Sequence, residues 1–337
     1  MSLKLAIVIL NWNGKKFLAQ FLPTLLDSCD SNSQVIIADN NSTDDSIPYI
    51  KVNFPSLRII QNSSNGGFSK GYNDALSQID AQYYCLLNSD IEVTPNWIDP
   101  IIKMMDDNSK IGAVQPKILS FYEKTKFEYA GAAGGYIDYL GYPFCRGRVF
   151  ESIEEDLGQY DTPRQVFWAT GAALFVRSEV YHQLGGLDED FFAHMEEIDF
   201  CWRINNLGFK IMIEPKSVVY HVGGGTLPKN NAFKTYLNFR NNLFLLLKNL
   251  PKNRILITFF MRFFLDQIAA LVFLLKGQYK DFLAVWKAIF HFAKGFNKMK
   301  AKRNQIQDSV FKMTYPNSIV FAFFVQKKRK FDGKHLI

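Results

Sequence analysis

Val35-Ile36-Ile37-Ala38-Asp39-Asn40-Asn41-Ser42-Thr43-Asp44 is the stretch that decides the fold. Its apolar, β-branched start reads as a short buried strand. It stops on a carboxylate followed by amides and hydroxyls, which sets polar side chains just past the strand's carboxyl end. In an open α/β sheet, ligands bind in the crevice along that edge. The pattern repeats outward in both directions. Upstream, Leu5-Ala6-Ile7-Val8-Ile9-Leu10 is closed by Asn11-Trp12-Asn13-Gly14. A helix follows it, with Phe17, Leu18, Phe21, Leu22, Leu25 and Leu26 on one face. Downstream, Leu57-Arg58-Ile59-Ile60 leads into Asn65-Gly66-Gly67-Phe68 and a helix through Tyr72, Ala75 and Leu76. Tyr83-Tyr84-Cys85-Leu86 precedes Leu87-Asn88-Ser89-Asp90, and Ile111 to Val114 is a fifth strand. Ser42 with Asp45 predicts one helix start, and Thr94-Pro95 another. Strands alternating with helices predict an α/β fold with a mostly parallel sheet and helices on both faces.

Residues 119–165 break this rhythm. They are rich in Gly, Tyr and charge, and are expected to form a flap over a substrate site. Trp168 to Val176 reads as a strand, and Ser178 starts a short helix ending at Gly185-Gly186. Glu196 to Leu207 reads as a helix stopped by Gly208. Phe209 to Ile213 and Val218 to Tyr220 read as short strands before His221. From Phe233 the pattern is one of amphipathic helices. We therefore expect a catalytic domain over 1–231 and a basic, Phe-rich helical extension over 232–337.

The net charge of +7 conceals an asymmetry. Residues 1–231 hold 19 Lys and Arg against 28 Asp and Glu, a net of −9. Residues 232–337 hold 20 against 4, a net of +16. A basic segment rich in Phe and Leu points to an anionic membrane surface. No nucleic-acid motif accompanies it, so nucleic acid is not the expected partner. The most apolar stretch, 255–275, is interrupted by Arg262 and Asp266, and its longest uncharged run falls far short of the ~20 residues a membrane span requires. An in-plane interfacial helix is the expectation, with a soluble helical subdomain as the alternative. Cys29, Cys85, Cys145 and Cys201 show no metal-ligand spacing and read as reduced thiols in a cytosolic chain. The start runs straight into a strand and fits no signal peptide.

Several residues stand where chemistry is done. Asp39 ends a strand, where a carboxylate can accept a hydrogen bond from a pyrimidine ring N–H or simply cap a helix. Asp90 ends another. A departing diphosphate needs a divalent cation, and Mg²⁺ or Mn²⁺ takes oxygen ligands and borrows phosphate oxygens and water. Glu196, Glu197 and Asp199 crowd one helix start beside Phe191, Phe192 and Trp202. Crowding raises a carboxyl pKa toward that of a general base, although acids at a helix N-terminus are also simply favourable. His221 precedes Gly223-Gly224-Gly225-Thr226, where an imidazole suits a metal and backbone N–H groups suit a phosphate. Arg203, seven residues after Glu196 and on roughly the same helix face, is expected to pair with an acid.

As an ordered set these motifs resemble the family 2 glycosyltransferases of GT-A fold, in their bacterial rhamnosyltransferase-like branch. The resemblance covers residues 3–245 and rests on Asn11-Trp12-Asn13-Gly14, the Asp39 to Asp44 run, Asn65-Gly66-Gly67-Phe68 with Gly71-Tyr72-Asn73, Leu87-Asn88-Ser89-Asp90, Gly171-Ala172 and Glu196 to Arg203. It implies that Trp12 and Asp39 contact a pyrimidine base, and that Asn65 and Asn73 lie along the nucleotide. Asn88, Ser89 and Asp90 correspond to the DxD-type motif, with Asp90 the retained acid. His221 would complete the metal site. Glu197 would be the general base, at a position where the family often carries Asp, with Glu196 its rival. Gly171, Asp199 and Arg203 would support the site. The implied activity is inverting transfer from a UDP- or dTDP-sugar, assisted by Mg²⁺ or Mn²⁺, to a lipid-linked or polysaccharide acceptor hydroxyl. The place would be the cytoplasmic membrane face, and the pathway cell-surface glycan assembly. A processive polysaccharide synthase would carry a Gln-x-x-Arg-Trp motif and several membrane spans, which this sequence lacks. A sugar-nucleotide-binding protein without catalysis finds its only support in the incomplete DxD-type motif.

Overall fold

Strand β1 (Leu3–Asn11) is fully buried from Leu5 to Ile9 and lies inside the main sheet, as its unbroken apolar run requires. The computed structural model describes residues 3–223, 231–303 and 307–335. Helix α1 (Lys15–Asp27) leads to β2 (Ser33–Asp39), α2 (Ser46–Asn53) to β3 (Arg58–Gln61), and α3 (Gly67–Leu76) to β4 (Ala81–Asn88). The next elements are β5 (Ile91–Val93), α4 (Asp99–Asp107) and β6 (Ile111–Ser120). A small antiparallel sheet follows: β7 (Gly135–Ile137), β8 (Pro143–Cys145), β9 (Arg148–Val149) and β10 (Ser152–Ile153). The chain returns to the main sheet through β11 (Arg164–Val166), β12 (Ala173–Arg177), α5 (Ser178–Gln183), α6 (Glu196–Asn206) and β13 (Lys210–His221). It ends in α7 (Ala232–Asn249), α8 (Lys252–Leu275), α9 (Tyr279–Ala301), α10 (Asp308–Phe311) and α11 (Ile319–Phe324).

The main sheet runs β11-β13-β6-β12-β4-β1-β2-β3, with β5 added to β13. Strands β1, β2, β3, β4, β6 and β13 point the same way, and β5, β11 and β12 reverse. Helices cover both faces. Leu18, Leu22, Ile50, Ile101 and Met105 of α1, α2 and α4 fill one core. Tyr72, Leu76, Val180, Phe200 and Trp202 of α3, α5 and α6 fill the other. Each fully buried large apolar side chain contributes about 1.5–3 kcal/mol.

Several boundaries differ from expectation, each because a side chain is used elsewhere. Helix α2 starts at Ser46, since the Ser42 hydroxyl accepts hydrogen bonds from Asn11 Nδ2 and the Asn13 amide. The helix after Thr94-Pro95 waits until Asp99, because the Thr94 hydroxyl donates to the Val218 carbonyl at 2.7 Å and ties β5 to β13. Residues 168–172 form a turn, held by Ala169 N–H on Cys201 Sγ and Thr170 N–H on the Gln115 side chain. The two strands expected over 209–220 are one, β13, with a register shift between Glu214 and Val218.

The region 119–165 is the small sheet and its connections. Phe144 and Val149 on that sheet pack against Ile319, Ala322 and Phe323 of α11 and against Phe331. Helix α7 sends Phe244, Leu245, Leu246 and Leu247 into the same core as α6. Helix α8 is long and apolar enough to cross a membrane. The two charges in its middle face the protein: Arg262 and Asp266 pair, both buried, and Arg262 also donates to the Leu140 carbonyl and to Asn242. The opposite face exposes Leu256, Phe260, Phe264, Ile268, Leu271 and Leu275, at helical spacing.

Candidate active site

The strand register sets one polar row along the carboxyl edge of the sheet. Asn11 is level with Asp39, Leu10 with Asn88, and Asp39 with Gln61. Asp39 is buried and accepts from Asn11 Nδ2 and from the Ser42 amide, each at 3.1 Å. Each carboxylate oxygen accepts up to two hydrogen bonds, so capacity for a ring N–H remains. Trp12 stands 46% exposed just beyond β1. Asn65 is exposed, and its side-chain oxygen accepts from Asn40 Nδ2 and the Gly67 amide. Asn88 donates its backbone N–H to the Ala172 carbonyl, and Ser89 lies beside Gly14. Asn73 does not join this row. Its amide donates to the Leu187 carbonyl and to Glu189, and accepts from Tyr181 Oη and the Leu187 amide. With donors and acceptor all engaged, Asn73 holds the 184–189 loop against α3.

At the far end of the row, β13 brings His221 beside Asp90, with Nε2 3.2 Å from Asp90 Oδ1. Glu128 stands on the other side, 3.3 Å from Nδ1 but without the geometry of a full hydrogen bond. Gly223 permits that approach: it has φ +70°, and a Cβ there would fall 2.7 Å from Glu128 Oε1. Burial opposes protonation of His221, but Asp90 and Glu128 outweigh it and hold the imidazolium up to about 10. Burial likewise raises both carboxyls, and contact with His221 brings each below its ordinary value. Among the described residues, no three His, Cys, Asp or Glu side chains converge to hold a metal. A cation would have to displace the proton from the His221 ring; Asp90 and His221 would then offer an oxygen and an imidazole, a donor set that fits a cation sharing its remaining positions with phosphate and water. A carboxylate on the second ring nitrogen is the usual way to orient a metal-bound imidazole. Gly224, Gly225 and Thr226, expected at a phosphate, lie outside the described residues.

The acid helix α6 divides its carboxylates into two kinds. Asp199 is buried and saturated, accepting from Arg203 at 2.9 Å, Lys248 at 2.9 Å and Asn249 at 2.8 Å. Burial raises its pKa, and Lys248 with Arg203 more than reverses that. The ion pair expected of Arg203 is thus with Asp199, and its remaining N–H groups donate to the Leu184 and Gly186 carbonyls. Glu196 and Glu197 each keep a buried side-chain oxygen with no hydrogen-bond partner among the described residues. Burial lifts Glu197 to about 7. Burial first, and then the neighbouring Glu197 charge, pushes Glu196 well above the ordinary range. The leading cause is therefore desolvation, with crowding second: the Glu197 charge and, less, that of Asp199 both raise Glu196. Gly171 brings the parts together: a Cβ there would lie 3.1 Å from Phe68 and 3.6 Å from Glu197.

Three residues escaped the sequence reading. Glu128 lies in a segment with no periodic pattern. Lys248 holds Asp199 and Asp188 from α7. Asn241 donates to the carbonyls of Phe191, Ala193 and His194, immediately before α6. Arg240-Asn241-Asn242 is one polar group among several on α7, so Asn241 did not stand out locally.

The chain thus carries a polar row along the sheet's carboxyl edge, an acid–imidazole pair and a glutamate pair at the start of α6, and it is similar to several known proteins. An "N-acetylglucosaminyl-diphospho-decaprenol L-rhamnosyltransferase" of Mycobacterium tuberculosis is 25% identical over 232 residues, covering 64% of this chain and 75% of its own. A "dTDP-rhamnosyl transferase RfbF" of Shigella flexneri is 23% identical, over 65% of this chain and 73% of its own. Among solved structures, the mannosyltransferase PcManGT of Pyrobaculum calidifontis, in complex with GDP-Man and Mn2+, superposes with TM-score 0.51 at 12% identity. That match covers 97% of this chain and 89% of the other. GalNAc-T7, solved with UDP, GalNAc and Mn2+, gives TM-score 0.57 at 14% identity, over 74% of this chain but 49% of that protein. These structural likenesses establish the GT-A fold. The pattern that defines the family described as "Glycosyl transferase family 2" matches residues 6–184, and the chain belongs to that family of transferases.

Proposed function

We propose that the chain is an inverting glycosyltransferase that moves a sugar from a UDP- or dTDP-sugar to an acceptor hydroxyl on a lipid-linked or polysaccharide glycan. The observation that carries this reading is the Glu197 carboxyl: a buried oxygen without a protein partner, a pKa of about 7, and a place at Gly171 and Phe68. Glu197 takes the proton of the acceptor hydroxyl. That oxygen attacks the anomeric carbon, and the carbon–oxygen bond to the diphosphate breaks on the opposite face, releasing the nucleoside diphosphate. Glu196, beside it, is the rival for that role. Trp12 and Asp39 hold the pyrimidine, and Asn65 with Asn88 and Ser89 lines the path of the phosphates. Asp90 and His221 would hold a divalent cation, Mg²⁺ or Mn²⁺, whose charge offsets that of the diphosphate. Positioning and electrostatics supply most of the acceleration.

The catalytic domain in this reading is 1–231 and the extension 232–337. The decaprenol-linked acceptor in the M. tuberculosis relative's name supports a lipid-linked acceptor here. The apolar face of α8 and the +16 charge of residues 232–337 support peripheral attachment to the anionic inner face of the cell membrane. Calorimetry with UDP, dTDP and GDP, with and without Mn²⁺, on wild type and Asp90→Ala, tests the donor side. Metal-dependent binding of UDP or dTDP that Asp90→Ala abolishes is the expected result. Failure of both pyrimidine diphosphates to bind under every condition overturns the assignment at Asp39.

A further inference from the structure

We propose that Asn241, on the first helix of the C-terminal extension, is a positioning residue for sugar transfer: its amide fixes the left-handed turn that delivers Glu196 and Glu197 to the cleft. The inference rests on reading those glutamates as the catalytic pair.

The turn is conformationally unfavourable by itself. Phe192, His194 and Met195 all have positive φ, at 65°, 68° and 72°, and none is a glycine. Side chains with a Cβ avoid this region, so such a run persists only where the surroundings over-determine it. Met195 is also the residue immediately before α6, and it contributes no side-chain cap. The constraint comes from outside the loop. Asn241 is fully buried, and its Nδ2 lies 2.8 Å from the Phe191 carbonyl, 2.8 Å from that of Ala193 and 2.7 Å from that of His194. One amide, with two N–H groups, thus lies within reach of three carbonyls of the turn, of which that of Phe191 also accepts from the Ala193 amide. Its own oxygen is occupied by Arg240 Nε, which fixes the orientation of the amide. Arg240 in turn donates to the Asp190 and Phe191 carbonyls.

The turn also reaches the donor side. The Phe68 amide donates to the Phe192 carbonyl at 2.7 Å. A Cβ on Gly67 would fall 2.5 Å from the Phe192 ring, so the two segments are in close register. The loop therefore touches the Asn65 to Phe68 motif on one side, α7 on another and the glutamate pair at its end. A helix from the extension sets the geometry of the catalytic helix, and sequence order gives no hint of it.

Asn241→Asp is the test, because it keeps the size and removes every donor. Three quantities are read on the full chain: UDP and dTDP affinity, release of nucleoside diphosphate from the matching sugar nucleotide, and amide exchange over 190–200. The expected result is nucleotide affinity within about twofold of wild type, faster exchange in the loop and turnover lower by roughly 10²-fold, the scale of a 1 Å misplacement. Wild-type turnover with unchanged exchange overturns the proposal. So does a loss of turnover that follows, in equal proportion, a loss of folded protein and of nucleotide binding. If Asn241→Asp does not fold, Asn241→Ser, with a smaller polar side chain, carries the same expectations and the same refutations. Glu197→Gln and Glu196→Gln run in parallel. Should both retain turnover while Asn241→Asp loses it with a loosened loop, the base assignment fails and the clamp stands.

Discussion

Asp199 and Glu197 are two residues apart on one helix, yet they are treated in opposite ways. Asp199 is surrounded by Arg203, Lys248 and Asn249 and is held ionised. Among the described residues no salt bridge is made by Glu197 or its neighbour Glu196, and burial drives both toward the protonated form. The saturated carboxylate belongs to the framework, joining α6 to α7. The unsatisfied ones keep an unused acceptor, which a substrate hydroxyl can fill. Composition alone, three acids in four residues, does not distinguish the two roles. Partner supply does.

The largest effect expected is on catalysis. Glu197→Gln should lower turnover by about 10²–10⁴-fold, the usual worth of a positioned general base, and leave UDP or dTDP affinity nearly unchanged. A larger loss in Glu196→Gln would exchange the two roles. Because burial raises the Glu197 pKa, the proton-accepting form is scarce below about 7. Turnover should therefore climb about tenfold per pH unit up to that point and level off above it. A flat profile from pH 5 to 8 would break the contrast with Asp199.

Next comes stability. Asp199→Asn leaves Lys248 and Arg203 buried without their shared carboxylate, and breaking such a pair costs about 3–5 kcal/mol in urea unfolding. Glu196→Gln should do the opposite. A carboxyl whose pKa is raised on folding favours the native state fully only below its unfolded pKa, and that advantage is lost as pH rises through the folded value. The Gln variant should therefore match wild type at pH 4 and exceed it at pH 8. Equal responses of the two variants would remove the distinction. The smallest effect expected is at Glu128, which faces the second ring nitrogen of His221. Glu128→Gln should weaken the Mn²⁺-dependent component of nucleotide binding by about 10–100-fold and spare binding without metal.

The order of the sheet-edge motifs was legible in sequence because each sits at the end of an apolar run. Register then aligns them without further information: parallel pairing puts Asn11, Asp39 and Gln61 in one row. Helix starts were less legible wherever a hydroxyl had a tertiary partner, as at Ser42 and Thr94. The resemblance implied a nucleotide contact at Asn73, whereas in the structure a loop more than 100 positions away engages its amide. The charges of α8 were misleading in another way. As sequence, Arg262 and Asp266 interrupt an apolar run; in space they pair and turn toward Leu140 and Tyr142, leaving the outer stripe unbroken. Long-range partners such as Glu128 and Asn241 leave no local periodic trace at all.

The small sheet of β7 to β10 is tied to the chain's far end. The Ile319 amide donates to Asp138, the Tyr160 hydroxyl to the Phe331 carbonyl, and Arg164 to the Asp332 carbonyl, spans of 168 to 181 positions. During synthesis that sheet is made long before its covering helix. Its aromatic underside, with Phe144 and Tyr136, must wait open while the helices α7 to α9 emerge and dock. Closing such distant contacts is slow, since the loop entropy is lost before any packing is gained. The main sheet is thus in a position to assemble first, with the small sheet as the last part of the enzyme to become native.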